Sequence, residues 1–308
     1  MEKLKGRNLL SIKDLNSDEL KKLLELATEL KSGKKNLKCN KVLGLLFSKA
    51  STRTRVSFTV AMYQLGGQVI DLNPNVTQVS RGELLIDTAR VLGRYLDVLA
   101  IRTFAQKDLE TFAKYAKIPV INALTDREHP CQILADLLTV KEYFGNLDGV
   151  TLSYFGDGNN VANSLLLGCA MVGINVRIAT PENYMPNKEI VEEANTIAIA
   201  NGKSEVIVTQ NPQVAVKDTQ VLYTDVWASM GQEQETNNRI PIFKPYQVNE
   251  KLLESAADDA IVLHCLPAHR DEEITDAVIE GDRSRVWEQA ENRMHAQKAL
   301  LVSLLGSD

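Results

Sequence analysis

The sequence predicts an α/β fold of two doubly wound parallel-sheet βαβ domains in tandem, joined by interdomain helices, and three observations predict it. Short apolar runs of strand length alternate with helix-length runs along most of the chain, the pattern of parallel sheets covered by helices. A chain of 308 residues, 44% hydrophobic and 24% charged, is long enough to bury more than one core. A turn-rich stretch, Gly145-Asn146-Leu147-Asp148-Gly149, follows a long apolar helix near the middle, after which a new series of strands begins.

Taken in order, Ser17-Asp18-Glu19 reads as a helix start, with Leu20, Leu23, Leu24, Ala27 and Leu30 recurring at helical spacing up to Ser32-Gly33. Val42 to Phe47 is short, apolar and turn-bounded, as a buried parallel strand is, and runs through Ser51-Thr52-Arg53-Thr54-Arg55 into a helix ending near Gly66-Gly67. The alternation repeats with strands at Val69–Leu72, Val98–Arg102 and Val120–Asn122, separated by helices from about Gly82 to Tyr95 and Lys107 to Lys117. The apolar helix Cys131 to Phe144 holds the domain boundary. Beyond it lie strands at Thr151–Phe155, Asn175–Ala179, Glu205–Thr209, Val221–Thr224 and Ile261–His264, and a terminal helix over Glu291–Leu305.

Net charge narrows the function classes. At −5 the chain offers no general basic face for nucleic acid or an anionic membrane, so phosphate binding must be local. The amino-terminal MEKLKGRNLLSIKDL has no apolar stretch of signal-peptide length, and no membrane-length apolar run occurs, so a cytoplasmic location is expected. The four cysteines, Cys39, Cys131, Cys169 and Cys265, are widely spaced and suggest reduced thiols, with neither a disulfide framework nor a zinc site.

Chemistry-bearing residues gather where predicted strands end. In open parallel sheets ligands bind at the carboxyl ends of strands, where the next helix presents unpaired N–H groups and a partial positive charge. Ser51 to Arg55 adds three hydroxyls and two guanidiniums there, a set suited to a dianionic phosphate. Arg102-Thr103, His129-Pro130-Cys131-Gln132 and His264-Cys265-Leu266-Pro267 are further polar islands at strand ends or helix starts. Singly, each has an ordinary explanation: a helix cap, a surface charge, a turn before a helix, a small core thiol. Jointly they point to one ligand-binding constellation. His295 reads as a helix-surface residue, and His269 and Arg270 receive no role.

These elements resemble the aspartate/ornithine carbamoyltransferase family. Ser51-Thr52-Arg53-Thr54-Arg55 is similar to its carbamoyl-phosphate signature and His129-Pro130-Cys131-Gln132 to its His-Pro-x-Gln element, with Arg102 between them at the family's spacing. The resemblance covers essentially the entire chain. It implies a carbamoyl-phosphate-binding domain over 1–133, an ornithine-binding domain over 134–290, and a C-terminal helix over 291–308 packing back on the first. Ser51, Thr52, Arg53 and Thr54 would then bind phosphate, with Arg102 bridging phosphate and carbonyl oxygen and His129 donating to that carbonyl. Gln132 and the Leu266 carbonyl would hold the carbamoyl NH₂, Cys265 would adjoin the group, and Arg293 would complete the pocket. Gln78 matches a position that serves a neighbouring subunit's site, which implies a homotrimer.

The acceptor is implied by Asp225-Val226-Trp227-Ala228-Ser229-Met230-Gly231, whose Ser-Met-Gly resembles the loop that closes over the amino acid in ornithine-specific members. On that basis Asp225 pairs with the α-ammonium of L-ornithine, while Asn160, Ser229 and Met230 hold its α-carboxylate and Cys265 lies near the δ-amine. Arg53, Arg102, His129, Cys265 and Asp225 carry the catalysis, with no cofactor and no metal. The reaction would give L-citrulline, as in arginine biosynthesis; anabolic and catabolic enzymes share this chemistry. Another amine, such as putrescine or acetylornithine, is the alternative acceptor. Phe155-Gly156-Asp157-Gly158-Asn159-Asn160 suggests a dinucleotide site, but Val161 stands where that fingerprint has its third glycine. A non-catalytic binding subunit is disfavoured by the intact Arg53, Arg102, His129 and Gln132.

Overall fold

The computed structural model describes residues 4–73, 82–228 and 233–307. The chain forms two compact units, one of Met1–Leu138 with Glu291–Asp308 and the other of Thr139–Ala290. The helices Pro130–Phe144 and Val286–Leu305 carry the chain from one unit to the other. No helix among the described residues is long and apolar enough to cross a membrane.

In the first unit, strands β1 (Val42–Phe47), β2 (Gln68–Leu72), β3 (Val98–Arg102) and β4 (Val120–Leu124) form a parallel sheet in the order β2-β1-β3-β4. Chain order reverses between β1 and β3, so the loops leaving those neighbouring strands diverge and open a crevice at their carboxyl ends. The register aligns Phe47 with Arg102, which sets the end of β3 beside the loop after β1. The open edge of β4 is covered by the amino-terminal segment: Leu9 N–H donates to Val120 at 2.9 Å, and Asn122 N–H donates to Leu9 at 2.8 Å.

The second unit repeats the plan with strands β5 (Thr151–Phe155), β6 (Asn175–Ala179), β7 (Val206–Thr209), β8 (Val221–Thr224) and β9 (Ile261–His264), ordered β7-β6-β5-β8-β9 and all parallel. Its reversal lies between β5 and β8. The helix Asn160–Val172 that leaves β5 is buried along its length, which explains its nearly unbroken apolar sequence.

Some element ends differ from the sequence reading. The first helix does begin at Ser17, but its cap is Asn16, whose side chain accepts from Glu19 N–H while Glu19 reaches back to Asn16 N–H. The helix expected from about Gly82 begins at Leu85, and the terminal helix begins at Val286, not Glu291. His295, expected on a helix surface, is buried and meets Glu291 at 3.2 Å. Helical spacing alone does not say which face of a terminal helix is covered.

Candidate functional site

The hydroxyl and guanidinium groups of the first unit gather from β1 onward. Ser51 is the N-cap of the helix Thr52–Gln64, yet its Oγ accepts from Arg102 Nη1 at 3.2 Å instead of capping the turn. The first N–H groups of that helix are therefore not capped by the Ser51 side chain, at a helix end where the dipole favours negative charge. A hydroxyl oxygen that accepts from a guanidinium directs its own hydrogen elsewhere, so Arg102 orients Ser51 as a donor.

The same device recurs at Thr54. Arg293 Nη2 donates to Thr54 Oγ1 at 2.6 Å, while Arg293 Nη1 donates to Gln132 Oε1. Gln132 in turn donates through Nε2 to Asp136 Oδ1 at 2.7 Å, one helical turn on. Thr54, Gln132, Asp136 and Arg293 are all buried, so a terminal-helix arginine, a hydroxyl after β1 and an amide after β4 form one fixed chain. Arg53 is partly exposed beside them. Arg55, counted among the anion donors from sequence, is engaged elsewhere: it ion-pairs with Asp71 and lies over the Phe47 ring at 5.0 Å.

His129 precedes Pro130, which begins its helix; a residue before proline is held in extended backbone, and proline suits the first helical position. Burial, reinforced by the Arg293 and Arg102 guanidiniums, holds the His129 imidazole well below the usual histidine range. It is thus neutral near pH 7 and carries one N–H donor. Burial pushes the thiol of the adjacent Cys131 up to about 12, and that thiol donates to Asn122 O at 3.3 Å, a packing role. Gln78 lies outside the described residues.

In the second unit the reversal between β5 and β8 gathers acceptors. Asp225 follows β8; its Oδ1 accepts from Cys265 Sγ at 2.9 Å and Val226 N–H at 2.8 Å, and its Oδ2 accepts from Asn159 Nδ2 at 2.8 Å. Asn159 also caps the helix Asn160–Val172, so Asn160 is that helix's first residue, partly exposed beside the carboxylate's partner. Asn159 was missed from sequence, although an Asn just before an apolar helix is a cap signal. Packing alone requires the glycine at 158, with no dinucleotide invoked: a Cβ there would lie 2.3–2.5 Å from backbone atoms of Tyr184 to Pro186. Ser229 and Met230 lie outside the described residues.

Cys265 and Leu266 follow β9. Leu266 has a left-handed backbone, φ 59°, which L residues rarely adopt, and its N–H donates to His264 Nδ1 at 2.8 Å. The other ring nitrogen, Nε2, then carries the hydrogen and donates to buried Glu273 at 3.0 Å. Asp225, His264 and Cys265 bring one possible metal-ligand atom each within 4.8 Å of one another, a grouping invisible in cysteine spacing. Both His264 nitrogens are already engaged. Asp157 pairs with Arg239 Nη1 at 2.9 Å, and burial raises its carboxyl to about 6 against the pull of Arg239. Separated by 82 residues, that pair had no sequence signal.

An α/β protein whose two sheets each gather charged side chains at a chain reversal, cationic in one and anionic in the other, is a binder of small polar ligands. A family model of the aspartate/ornithine carbamoyltransferase carbamoyl-phosphate-binding domain matches residues 7–142, and one of the Asp/Orn-binding domain matches residues 148–304. The ornithine carbamoyltransferase of Nostoc punctiforme is 73% identical over 308 residues, covering 100% of both chains. The crystal structure of ornithine carbamoyltransferase from Gloeobacter violaceus matches with a TM-score of 0.90 and 57% identity, over 98% of this chain and 100% of that one. The ornithine carbamoyltransferase structure from Pyrococcus furiosus matches with a TM-score of 0.94 and 48% identity, over 98% of each chain. The chain belongs to the aspartate/ornithine carbamoyltransferase family.

Proposed function

We propose that the protein transfers the carbamoyl group of carbamoyl phosphate to the δ-amine of L-ornithine, giving L-citrulline and phosphate. The observation that carries this reading is the complementary chemistry of the two chain reversals: guanidiniums and oriented hydroxyls after β1 and β3, and a carboxylate–thiol pair after β8 and β9.

In this reading the phosphate rests on the N-terminus of the helix Thr52–Gln64, held by Ser51, Thr52, Arg53, Thr54 and Arg102. The neutral amine attacks the carbonyl carbon and the carbonyl oxygen takes up negative charge. The carbonyl then re-forms as the bond to the phosphate oxygen breaks with its electron pair leaving on phosphate, and the proton shed by the attacking nitrogen ends on that phosphate. Thr54, Arg102 and His129 donate to the developing oxyanion, each contributing on the order of 3 kcal/mol. A neutral His129 suits this role because its one N–H donates a hydrogen bond but is too weakly acidic to give up its proton. An amide oxygen has two lone pairs, so Gln132 retains one for the carbamoyl N–H beyond its bond from Arg293. The Leu266 carbonyl takes the other N–H.

The δ-ammonium has an ordinary pKa of about 10.4, like lysine, so about one molecule in a thousand is reactive near neutral pH. Asp225 pairs with the α-ammonium, Asn160, Ser229 and Met230 hold the α-carboxylate, and Cys265 with Asp225 guides loss of the δ-proton. A cytoplasmic homotrimer acting in arginine biosynthesis, with Gln78 completing a neighbouring site, accompanies this reading. Tyr63, Leu84 and Tyr95 of the first unit, exposed by 59%, 66% and 72%, support an interface between copies there.

A product assay with carbamoyl phosphate against ornithine, putrescine, acetylornithine and aspartate tests the reading. Citrulline from ornithine, with the other amines unreacted, is the expected result; its absence refutes the proposal.

A further inference from the structure

Resting on that reading, we propose that Glu128 is a positioning residue: it holds His129 against the carbamoyl oxygen by tying the His129 loop to the amino-terminal segment. Glu128 is 1% exposed, and its Oε2 accepts from Ile12 N–H at 3.1 Å across 116 residues of sequence. The Ser11 hydroxyl bonds the same carboxyl. A buried carboxyl is costly unless its oxygens are hydrogen-bonded, so these two bonds fix where the loop sits.

The segment Glu128 grips is itself firmly held. Asp14 Oδ2 accepts from Leu10 N–H at 2.7 Å and Ser11 N–H at 3.0 Å, closing a tight turn. Asn122 Nδ2 at 2.9 Å and Gln106 Nε2 at 3.3 Å both donate to Leu10 O, and Leu9 pairs with the edge of β4. On the loop side, Thr125 N–H donates to Glu128 O at 2.9 Å, and Thr125 Oγ1 donates to Gln106 Oε1 at 2.8 Å. Gln106 thus touches both the segment and the loop, and Glu128 closes the circuit one residue before His129. Downstream, the His129 carbonyl accepts from Gln132 N–H at 2.9 Å. Loss of the Glu128 link leaves the loop fixed on its helix side and loose on the other, which moves His129 without touching the phosphate donors after β1.

The test is steady-state citrulline formation by the full chain and its Glu128→Ala, Glu128→Asp and Glu128→Gln variants, with thermal melts and inhibition by inorganic phosphate. Citrulline from the wild type keeps the functional reading separate: without it that reading fails, whatever the variants do. With it, kcat of Glu128→Ala is expected to fall about tenfold and that of Glu128→Asp about fivefold, because ångström-scale misplacement of a donor costs up to about a hundredfold. The inhibition constant of phosphate should stay within about twofold of wild type, since those donors lie on other segments. Glu128→Gln should recover kcat to within about threefold, its Oε1 accepting from Ile12 N–H and its Nε2 donating to Ser11 Oγ. Wild-type kcat in Glu128→Ala, with only the melting temperature lowered, overturns the proposal. If Glu128→Ala does not fold, wild-type kcat in Glu128→Asp overturns it instead.

Discussion

The two chain reversals carry opposite charge and are held by opposite means. After β1 and β3, Arg102 and Arg293 grip the neutral hydroxyls of Ser51 and Thr54, and a guanidinium with five N–H donors can hold a neighbour and still face a ligand. After β8 and β9, one carboxylate is gripped by neutral donors: the Cys265 thiol, the Asn159 amide and the Val226 N–H. A carboxylate has about four acceptor positions, and these partners use most of them. The first reversal is thus rich in donors and tolerant of their partial use. The Asp225 carboxylate is nearly saturated by these partners, so on the proposed reading the second reversal depends on one group. That difference predicts where each side breaks.

Arg102→Ala carries the largest expected effect. If, as proposed, Arg102 donates to both phosphate and oxyanion, its removal should lower kcat/KM for carbamoyl phosphate by about a thousandfold, measured as initial rates of citrulline formation. Asp225→Asn should raise the ornithine KM by about a hundredfold, as expected for losing the charged partner of a buried ammonium, and leave inhibition by phosphate alone. Equal damage to both substrates would erase the contrast between the sites. Cys265→Ala should lower kcat by about tenfold, less than the roughly hundredfold or more of a lone general acid–base because Asp225 remains, with a changed pH profile between pH 6 and 9. A kcat equal to wild type across that range removes Cys265 from proton transfer.

Stability against pH probes the second unit alone. Asp157 has its carboxyl raised to about 6 by burial, against 3.8 when unfolded, so the folded state holds the extra proton between those values. Its contribution to stability is fully present below about pH 4 and is lost as pH rises through 6, because the unfolded chain releases its proton more readily. The difference in melting temperature between wild type and Asp157→Asn should therefore change across pH 4 to 6 and level off above it; a constant difference contradicts the assignment. The smallest effect belongs to Arg55→Ala. Its partner is the half-exposed Asp71, so kcat should stay within about twofold and stability within about 1 kcal/mol of wild type.

The terminal arginine shows where legibility stopped. Ser51, Thr54, Arg102, His129 and Gln132 each stand next to a strand end or helix start, and such ends are visible as a change from apolar to polar residues. Arg293 lies within a long helix where local pattern is silent, and only the family resemblance marked it. Its joint hold on Thr54 and Gln132 spans 239 and 161 residues of sequence. Asp157 with Arg239 and Glu128 with Ile12 were illegible for the same reason. In these pairs both partners are ordinary until folding brings them together.

By itself, the sequence determined the parallel α/β architecture, the alternation that builds both sheets, and the polar islands at strand ends. Those properties follow from residues near one another in the chain, through periodicity, propensity and the backbone donors at helix starts. Tertiary structure alone decided that Arg55 turns to Asp71, that Asn159 and Cys265 converge on Asp225, and that the amino-terminal segment braces the His129 loop. Hydrogen bonds and ion pairs act over a few ångströms, and only the strand register and chain reversals decide which distant residues come within that reach.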